Sequence, residues 1–86
     1  MINEQGTYIS RPVEIEAFHW NGEPPVEWPA WARDSLSIRY EISCLQVDTE
    51  EGTMRANRGD WIIKGTIGEV YPCKDQVFRK KYDKVD

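Results

Sequence analysis

Histidine, cysteine and long apolar runs are all scarce in this sequence. The 86 residues include one histidine and two cysteines, Cys44 and Cys73, whereas a zinc site needs several closely spaced ligands of these types. No apolar stretch approaches the ~20 residues of a membrane-spanning helix, and residues 1–6 lack the basic and apolar regions of a secretion signal. We therefore expect two free thiols, no metal or cofactor, no membrane partner and a cytoplasmic protein.

The charged residues divide unevenly between the two parts of the chain. Residues 1–52 hold ten acidic and three basic residues, and residues 53–86 hold eight basic and five acidic ones, so their net charges are −7 and +3. The overall charge of −4 argues against general binding of nucleic acid, which usually requires a basic surface. It leaves open a local anion site in the second part. Because small chains often gain stability by association, we also expect a homo-oligomer in which opposite charges could meet.

The spacing of apolar residues predicts one domain over residues 1–86, with a flexible N-terminus at residues 1–8. A strand is predicted over residues 11–20, where Val13, Ile15 and Ala17 alternate with two glutamates. A short helix is predicted over residues 28–36. Its buried stripe would consist of Trp28, Trp31, Ala32 and Leu36.

Strand-like segments separated by turns make up most of the remaining chain. Residues 38–49 predict one bent strand or two short ones, and Gly52 then supplies the backbone freedom that a tight turn needs. Pro72 cannot donate a backbone hydrogen bond, so the strand that contains it should lie at an edge or end there.

A last short helix is predicted close to the C-terminus. Asp75 could cap this helix, and Phe78 and Tyr82, four residues apart, should dock on the sheet. The predicted fold class is therefore α+β. We expect a small, mostly antiparallel sheet, which could curl into a partly open barrel, with two short helices against it.

Three segments of the sequence resemble a family of small accessory proteins from tailed phages and prophages. They read PVEIEAFHW from Pro12, GDWIIKG from Gly59 and EVYPCK from Glu69. The members are of unknown function, so the resemblance implies no catalytic residues. It implies a phage-encoded protein that acts in the host cell cytoplasm, where it blocks host defences or alters the host.

Basic and aromatic residues of the second part form a predicted ligand site. Basic side chains interleaved with aromatic rings suit phosphate groups and stacked bases. The predicted ligand-binding residues are Trp61, Lys64, Tyr71, Lys74 and Arg79. A helix whose basic side is simply solvated explains the same pattern. The first hypothesis is a non-enzymatic binder that sequesters a small nucleotide-like ligand.

Two further hypotheses come from other classes of function. The chain could be a protein-interaction module that inhibits a host protein through its acidic part or through an exposed sheet edge. It could also be a small metal-dependent nucleotide hydrolase, with active-site groups drawn from Glu14, Glu16, His19 and Asp60. We expect no enzyme, because none of these residues stands in a recognisable catalytic motif.

Overall fold

The computed structural model describes residues 4–9 and 11–85. Within these residues the chain forms six strands, two α-helices and one 3₁₀ helix. In chain order they are β1 (Glu16–His19), the 3₁₀ helix (Pro25–Glu27), α1 (Ala30–Arg33), β2 (Ile38–Tyr40), β3 (Cys44–Thr49), β4 (Gly52–Asn57), β5 (Trp61–Lys64), β6 (Val70–Cys73) and α2 (Asp75–Lys81).

The strands form two antiparallel sheets of three strands each. Sheet A has the order β1-β5-β6, and sheet B has the order β2-β3-β4. The α+β class and the antiparallel pairing are therefore confirmed. Over the described residues the strands form two separate sheets and not one closed barrel, because the turn between β4 and β5 passes the chain from sheet B to sheet A.

The register of sheet A assigns its side chains to two faces. Phe18 lies opposite Ile62, and His19 lies opposite Trp61. Directly opposed residues share a face, and successive residues alternate between faces. Phe18 and Ile62 therefore occupy the inner face, where Ile62 is a buried core residue and Phe18 packs against the core. The outer face carries His19 and Trp61, and it also carries Tyr71, which is opposed to Ile63.

The main core lies between the two sheets. Trp20, Leu45 and Ile62 are completely buried in it. The indole N–H groups of Trp20 and Trp28 both donate to the backbone oxygen of Glu23, each at 2.9 Å, so these buried polar groups are satisfied. The loop between β1 and the 3₁₀ helix is thereby tied to the core.

The first strand is shorter than predicted. β1 begins at Glu16, and Val13 is 60% exposed. The partner strand explains the difference, because Lys64, opposite Glu16, is the last residue of β5. The alternating pattern had predicted that Glu14 and Glu16 share a strand face. They do not, because Glu14 lies outside β1.

Both helices differ from prediction, and α1 does so at both ends, because it begins at Ala30 and not at Trp28. α1 ends at Arg33, and Leu36 is 96% exposed instead of belonging to a buried stripe. The N-cap of α2 is Lys74, and Asp75 is its first helical residue. Asp75 does not cap the helix because its carboxylate accepts hydrogen bonds from Trp61 and Arg79.

Other predicted elements are confirmed. Residues 38–49 contain two short strands, β2 and β3, and Gly52 has a φ of 114° after the turn that follows. Among the described strands β6 pairs with β5 alone, so Pro72 lies in an edge strand. Phe78 packs against sheet A through Trp61.

The N-terminal residues that the structure describes, 4–9, are exposed and form no helix or strand. Residues 1–3 of the predicted flexible segment 1–8 lie outside the described residues, and its flexibility stays a prediction. Among the helices of residues 4–9 and 11–85, none is long and apolar enough to cross a membrane.

Candidate functional site

Three aromatic rings stack on the outer face of sheet A. The ring of His19 lies parallel to that of Trp61 with centroids 4.6 Å apart, and the ring of Phe78 lies against Trp61 at 3.8 Å. Tyr82 continues this arrangement with a tilted contact to Phe78 at 5.0 Å. The stack connects β1, β5 and α2, because His19 belongs to β1, Trp61 to β5 and Phe78 to α2.

Acidic side chains hold the polar groups around this stack. The indole N–H of Trp61 and the guanidinium of Arg79 each donate to Asp75 Oδ1 at 2.8 Å. The hydrogen bond from Trp61, together with Arg79, keeps the pKa of the Asp75 carboxyl below its usual value. Lys74 Nζ lies 3.1 Å from the buried carboxylate of Asp60.

The structure brings only some of the predicted ligand-binding residues together. Trp61, Lys74 and Arg79 belong to the cluster just described. Tyr71 lies on the same face of sheet A, where burial and the neighbouring hydroxyl of Tyr82 raise the pKa of Tyr71 to about 12. Lys64 lies on the opposite face, where its ammonium group is 3.4 Å from Glu16.

This arrangement leaves little attraction for a phosphorylated ligand. Both faces of Trp61 are covered by other rings, so a base has no open indole surface on which to stack. Lys74 and Arg79 each face a carboxylate of the same chain. The local charge is therefore close to balanced, whereas binding of a polyanion is favoured by a positive potential.

A groove of about 610 Å³ runs along the free edge of β1. We call it the β1 groove. Aromatic side chains line it on both sides of the strand: Phe18 and Trp31 on one side, and Phe78 and Tyr82 on the other. Phe18 and Trp31 contact each other edge to face at 5.7 Å. The groove therefore offers apolar surface to side chains that project from either face of an added strand.

Backbone polar groups of β1 face this groove. Trp20 N–H donates to the oxygen of Asp60, and Trp20 oxygen accepts from Gly59 N–H, so Trp20 points toward β5. In an antiparallel ladder, successive residues bond to opposite sides. Phe18 therefore also bonds toward β5, and the N–H and C=O groups of Ala17 and the N–H of His19 point into the groove.

One end of the β1 groove is acidic. Its lining includes Glu14, Glu16 and Asp83, against a single ammonium group, that of Lys84. Lys64 contacts Glu16 from the adjoining strand. Charged side chains at an edge strand normally discourage pairing with a neutral or acidic strand. A strand with a basic side chain at that end would instead be attracted.

A second cleft lies beside β6, at the other edge of sheet A. Its volume is about 620 Å³, and we call it the acidic cleft. Four carboxylates belong to its lining: Asp48, Glu50, Glu51 and Glu69. Asp48 already accepts from Arg39 and Thr53, and those two hydrogen bonds hold its pKa below the usual value.

The residues of the hydrolase hypothesis are not assembled into one site. His19 donates from Nε2 to Gly59 oxygen at 2.8 Å, and Asp60 is engaged by Lys74. Glu16 lies at the opposite end of β1 from His19. Over residues 4–9 and 11–85, no three His, Cys, Asp or Glu side chains are grouped closely enough to hold a metal ion.

Both cysteines are free thiols. Burial is the main cause that raises the pKa of Cys44 and also that of Cys73. The thiolate, and not the thiol, is the reactive form of cysteine. Neither side chain is therefore placed as an activated nucleophile.

Comparisons with protein families, with curated proteins and with solved structures find no match to this chain. The resemblance to phage accessory proteins therefore stays a prediction.

Sequence reasoning did not identify the β1 groove. The available signal was the change of faces along residues 11–20, where Phe18 and Trp20 follow two glutamates on the same side of the predicted strand. Trp31 and Phe78 come from distant parts of the sequence, and only the fold brings them to this edge.

Proposed function

We propose that this chain is a non-enzymatic protein-interaction module that accepts an extended segment of a partner protein along β1. The observation that carries the proposal is the free backbone edge of β1, which opens into a groove with aromatic walls. Strand addition of this kind draws affinity from backbone hydrogen bonds and specificity from the pockets for alternate side chains. The family resemblance would make the partner a host protein.

The groove also indicates which segment would bind. A side chain opposite Phe18 would lie on the inner-face side, next to Trp31, and should be apolar. A side chain opposite Glu16 would lie on that same side, two residues along, and should be Lys or Arg. A side chain opposite Ala17 would approach Tyr82 from the outer-face side. We therefore expect a basic residue and an apolar residue separated by one further apolar residue.

The test is selection of peptides from a random displayed library, followed by amide hydrogen exchange on the bound protein. Selected peptides should carry the basic-apolar-apolar pattern. The amides of Ala17 and His19 should become protected when the peptide binds, because both N–H groups would then be hydrogen-bonded. Selected peptides without that pattern, or binding that leaves these two amides unprotected, would contradict the proposal.

Proline at position 17 provides a sharper version of the test. Ala17→Pro removes an N–H that points into the groove and leaves the β1–β5 ladder intact. Thr53→Pro is the matched control. Asn57 N–H donates to Asp60 and not to β3. Thr53, four residues earlier, points in the same direction as Asn57, so its N–H lies on the free edge of β4. Peptide binding should be lost in the first variant and kept in the second. Equal loss in both would show that the effect is general destabilisation.

A charge exchange tests the acidic end of the groove. Glu16→Lys combined with Lys64→Glu keeps an ion pair across β1 and β5 but reverses the sign of the charge at the edge strand. The preferred side chain at the corresponding peptide position should change from basic to acidic. An unchanged preference would remove Glu16 from the binding site.

A further inference from the structure

The acidic cleft combines negative charge with exposed apolar side chains. Among its lining residues, Met54 is 44% exposed and Ile67 is 84% exposed. Glu50, Glu51 and Glu69 are also exposed, and no basic residue belongs to the lining. A matching surface would need positive charges placed around an apolar side chain.

The outward face of α2 has that composition. Phe78 packs on the sheet, and Val77, Lys80 and Lys81, spaced three and four residues apart, form one stripe along the flank of the helix. Val77 is 40% exposed, and both lysines are exposed. Arg79 differs from them because it already bonds to Asp75.

The two surfaces belong to different parts of one molecule. The acidic cleft lies along β6 and the β3–β4 turn, and no residue of α2 lines it. A chain therefore does not fill its own cleft with its own helix in this structure. The helix of a second copy can occupy the cleft of the first copy. The helix of the first copy then remains free to occupy the cleft of a third.

We infer that this protein associates head to tail, with the Val77–Lys80–Lys81 face of one copy docked in the acidic cleft of the next. The contact is heterologous, so it generates a ring if the rotation closes and an open chain if it does not. Charge complementarity gives it an orientation, and Met54 and Ile67 provide apolar contacts for Val77. The inference does not depend on the β1 groove.

The test uses two charge-reversed variants and sedimentation velocity over a series of protein concentrations. One variant carries Glu50→Lys and Glu51→Lys in the cleft, and the other carries Lys80→Glu and Lys81→Glu on the helix. Each variant alone should be monomeric, because one of its two complementary surfaces is reversed. An equimolar mixture should assemble beyond a dimer, since the intact helix of one variant fits the intact cleft of the other and the two reversed surfaces are again complementary.

Control variants carry single charge reversals of each sign elsewhere on the surface. Glu27→Lys in the 3₁₀ helix and Arg33→Glu in α1 alter exposed residues that belong to neither docking surface, and both variants should assemble as the wild type does. Raising the salt from about 0.05 M to about 0.5 M should weaken wild-type assembly by about tenfold or more, because the shorter Debye length screens surface charges.

Several outcomes would overturn the inference. They are a wild-type protein that is monomeric at low salt at every concentration, cleft and helix variants that assemble like the wild type, and a mixture that stays monomeric. The circular dichroism spectrum of each variant must match that of the wild type. The combined variant with all four substitutions should assemble again, because its charges are exchanged and still complementary. Failure of the combined variant to assemble would also count against the docking geometry.

Discussion

Removal of the Phe78 ring should destabilise the protein by a large part of its total stability. Phe78→Ala takes away one ring of the stack, which lies 3.8 Å from Trp61, and also the contact with Tyr82 at 5.0 Å. The contact with Trp61 holds α2 on sheet A, and the contact with Tyr82 stiffens the end of the helix. The variant therefore tests whether this short helix is anchored by its rings.

The magnitude can be worked out from burial and from the two ring contacts. Full burial of a phenylalanine side chain contributes about 1.5–3 kcal/mol, of which a partly buried ring retains roughly half. Each aromatic contact adds about 0.5–1.5 kcal/mol. The total loss for Phe78→Ala is therefore roughly 2–4 kcal/mol. A domain of this length has a free energy of unfolding of about 4–13 kcal/mol, so the change is large.

The assay is urea unfolding followed by tryptophan fluorescence and by far-ultraviolet circular dichroism. Phe78→Leu, which keeps most of the apolar area but no aromatic ring, should lose about half as much as Phe78→Ala. Val77→Ala is the matched control on the outward face of the same helix, and it should cost less than about 0.5 kcal/mol. If Phe78→Ala costs no more than Val77→Ala, the ring stack does not anchor α2 and the reasoning fails.

Three smaller predictions concern a close contact and two perturbed pKa values. An alanine Cβ at Gly65 would lie 2.4 Å from the carboxylate of Glu69. Gly65→Ala should therefore cost about 1 kcal/mol, mostly through loss of the hydrogen bond that Ile67 N–H donates to Glu69, and a Glu69→Ala background should remove that cost in a double-mutant cycle. The lowered pKa of Asp75 stabilises the fold above the ordinary carboxyl pKa of about 3.9, and this contribution is lost as the pH falls through the folded value. Asp75→Asn should therefore flatten the acid limb of stability measured in urea between about pH 5 and pH 2. The raised pKa of Tyr71, about 12, stabilises the fold at pH values below the ordinary tyrosine pKa of about 10, and this contribution is lost as the pH rises toward the folded pKa. Tyr71→Phe should abolish that alkaline loss of stability. An unchanged profile of stability against pH would exclude Tyr71 as its source.

The strand pattern of this protein could be predicted from turn residues and apolar spacing, because those signals are local. Gly52 and Pro72 are clear examples: one follows the turn of a hairpin, and the other lies in an edge strand. The division into two sheets could not be predicted in the same way. It depends on which strand pairs with β5, and that partner, β1, lies more than 40 residues earlier in the sequence.

Local sequence information could not predict, for the same reason, that the basic residues of the predicted ligand site are already paired with carboxylates. Lys74 and Arg79 are visible as basic residues near aromatic ones, but the carboxylates that engage them are fixed by the fold. Asp60 approaches Lys74 only because β5 and β6 pair, and Asp75 accepts from Trp61 across that pairing. A sequence shows how many charges are present, and the fold decides which of them remain available to a ligand.

These contacts favour the strand-addition proposal over the nucleotide hypothesis on physical grounds. A nucleotide at Trp61 would have to displace a ring and compete with the carboxylates of Asp60 and Asp75, whereas a strand at β1 would meet unused backbone groups. The cluster is then better understood as the structure that fixes the edge of β1, since His19 joins that strand to the stack. The nucleotide-sequestering hypothesis stays a prediction, but it needs a rearranged site that strand addition does not need.

The two proposed surfaces use opposite edges of sheet A, and this has a consequence for affinity. The docking face of α2 consists of Val77, Lys80 and Lys81, and none of these residues lines the β1 groove. Head-to-tail assembly would therefore leave one β1 groove open on every copy. A partner with several suitable segments, or a partner that is itself oligomeric, would bind such an array far more tightly than one copy, because each later contact is intramolecular. Modest affinity at a single short edge strand would then be sufficient for a stable complex.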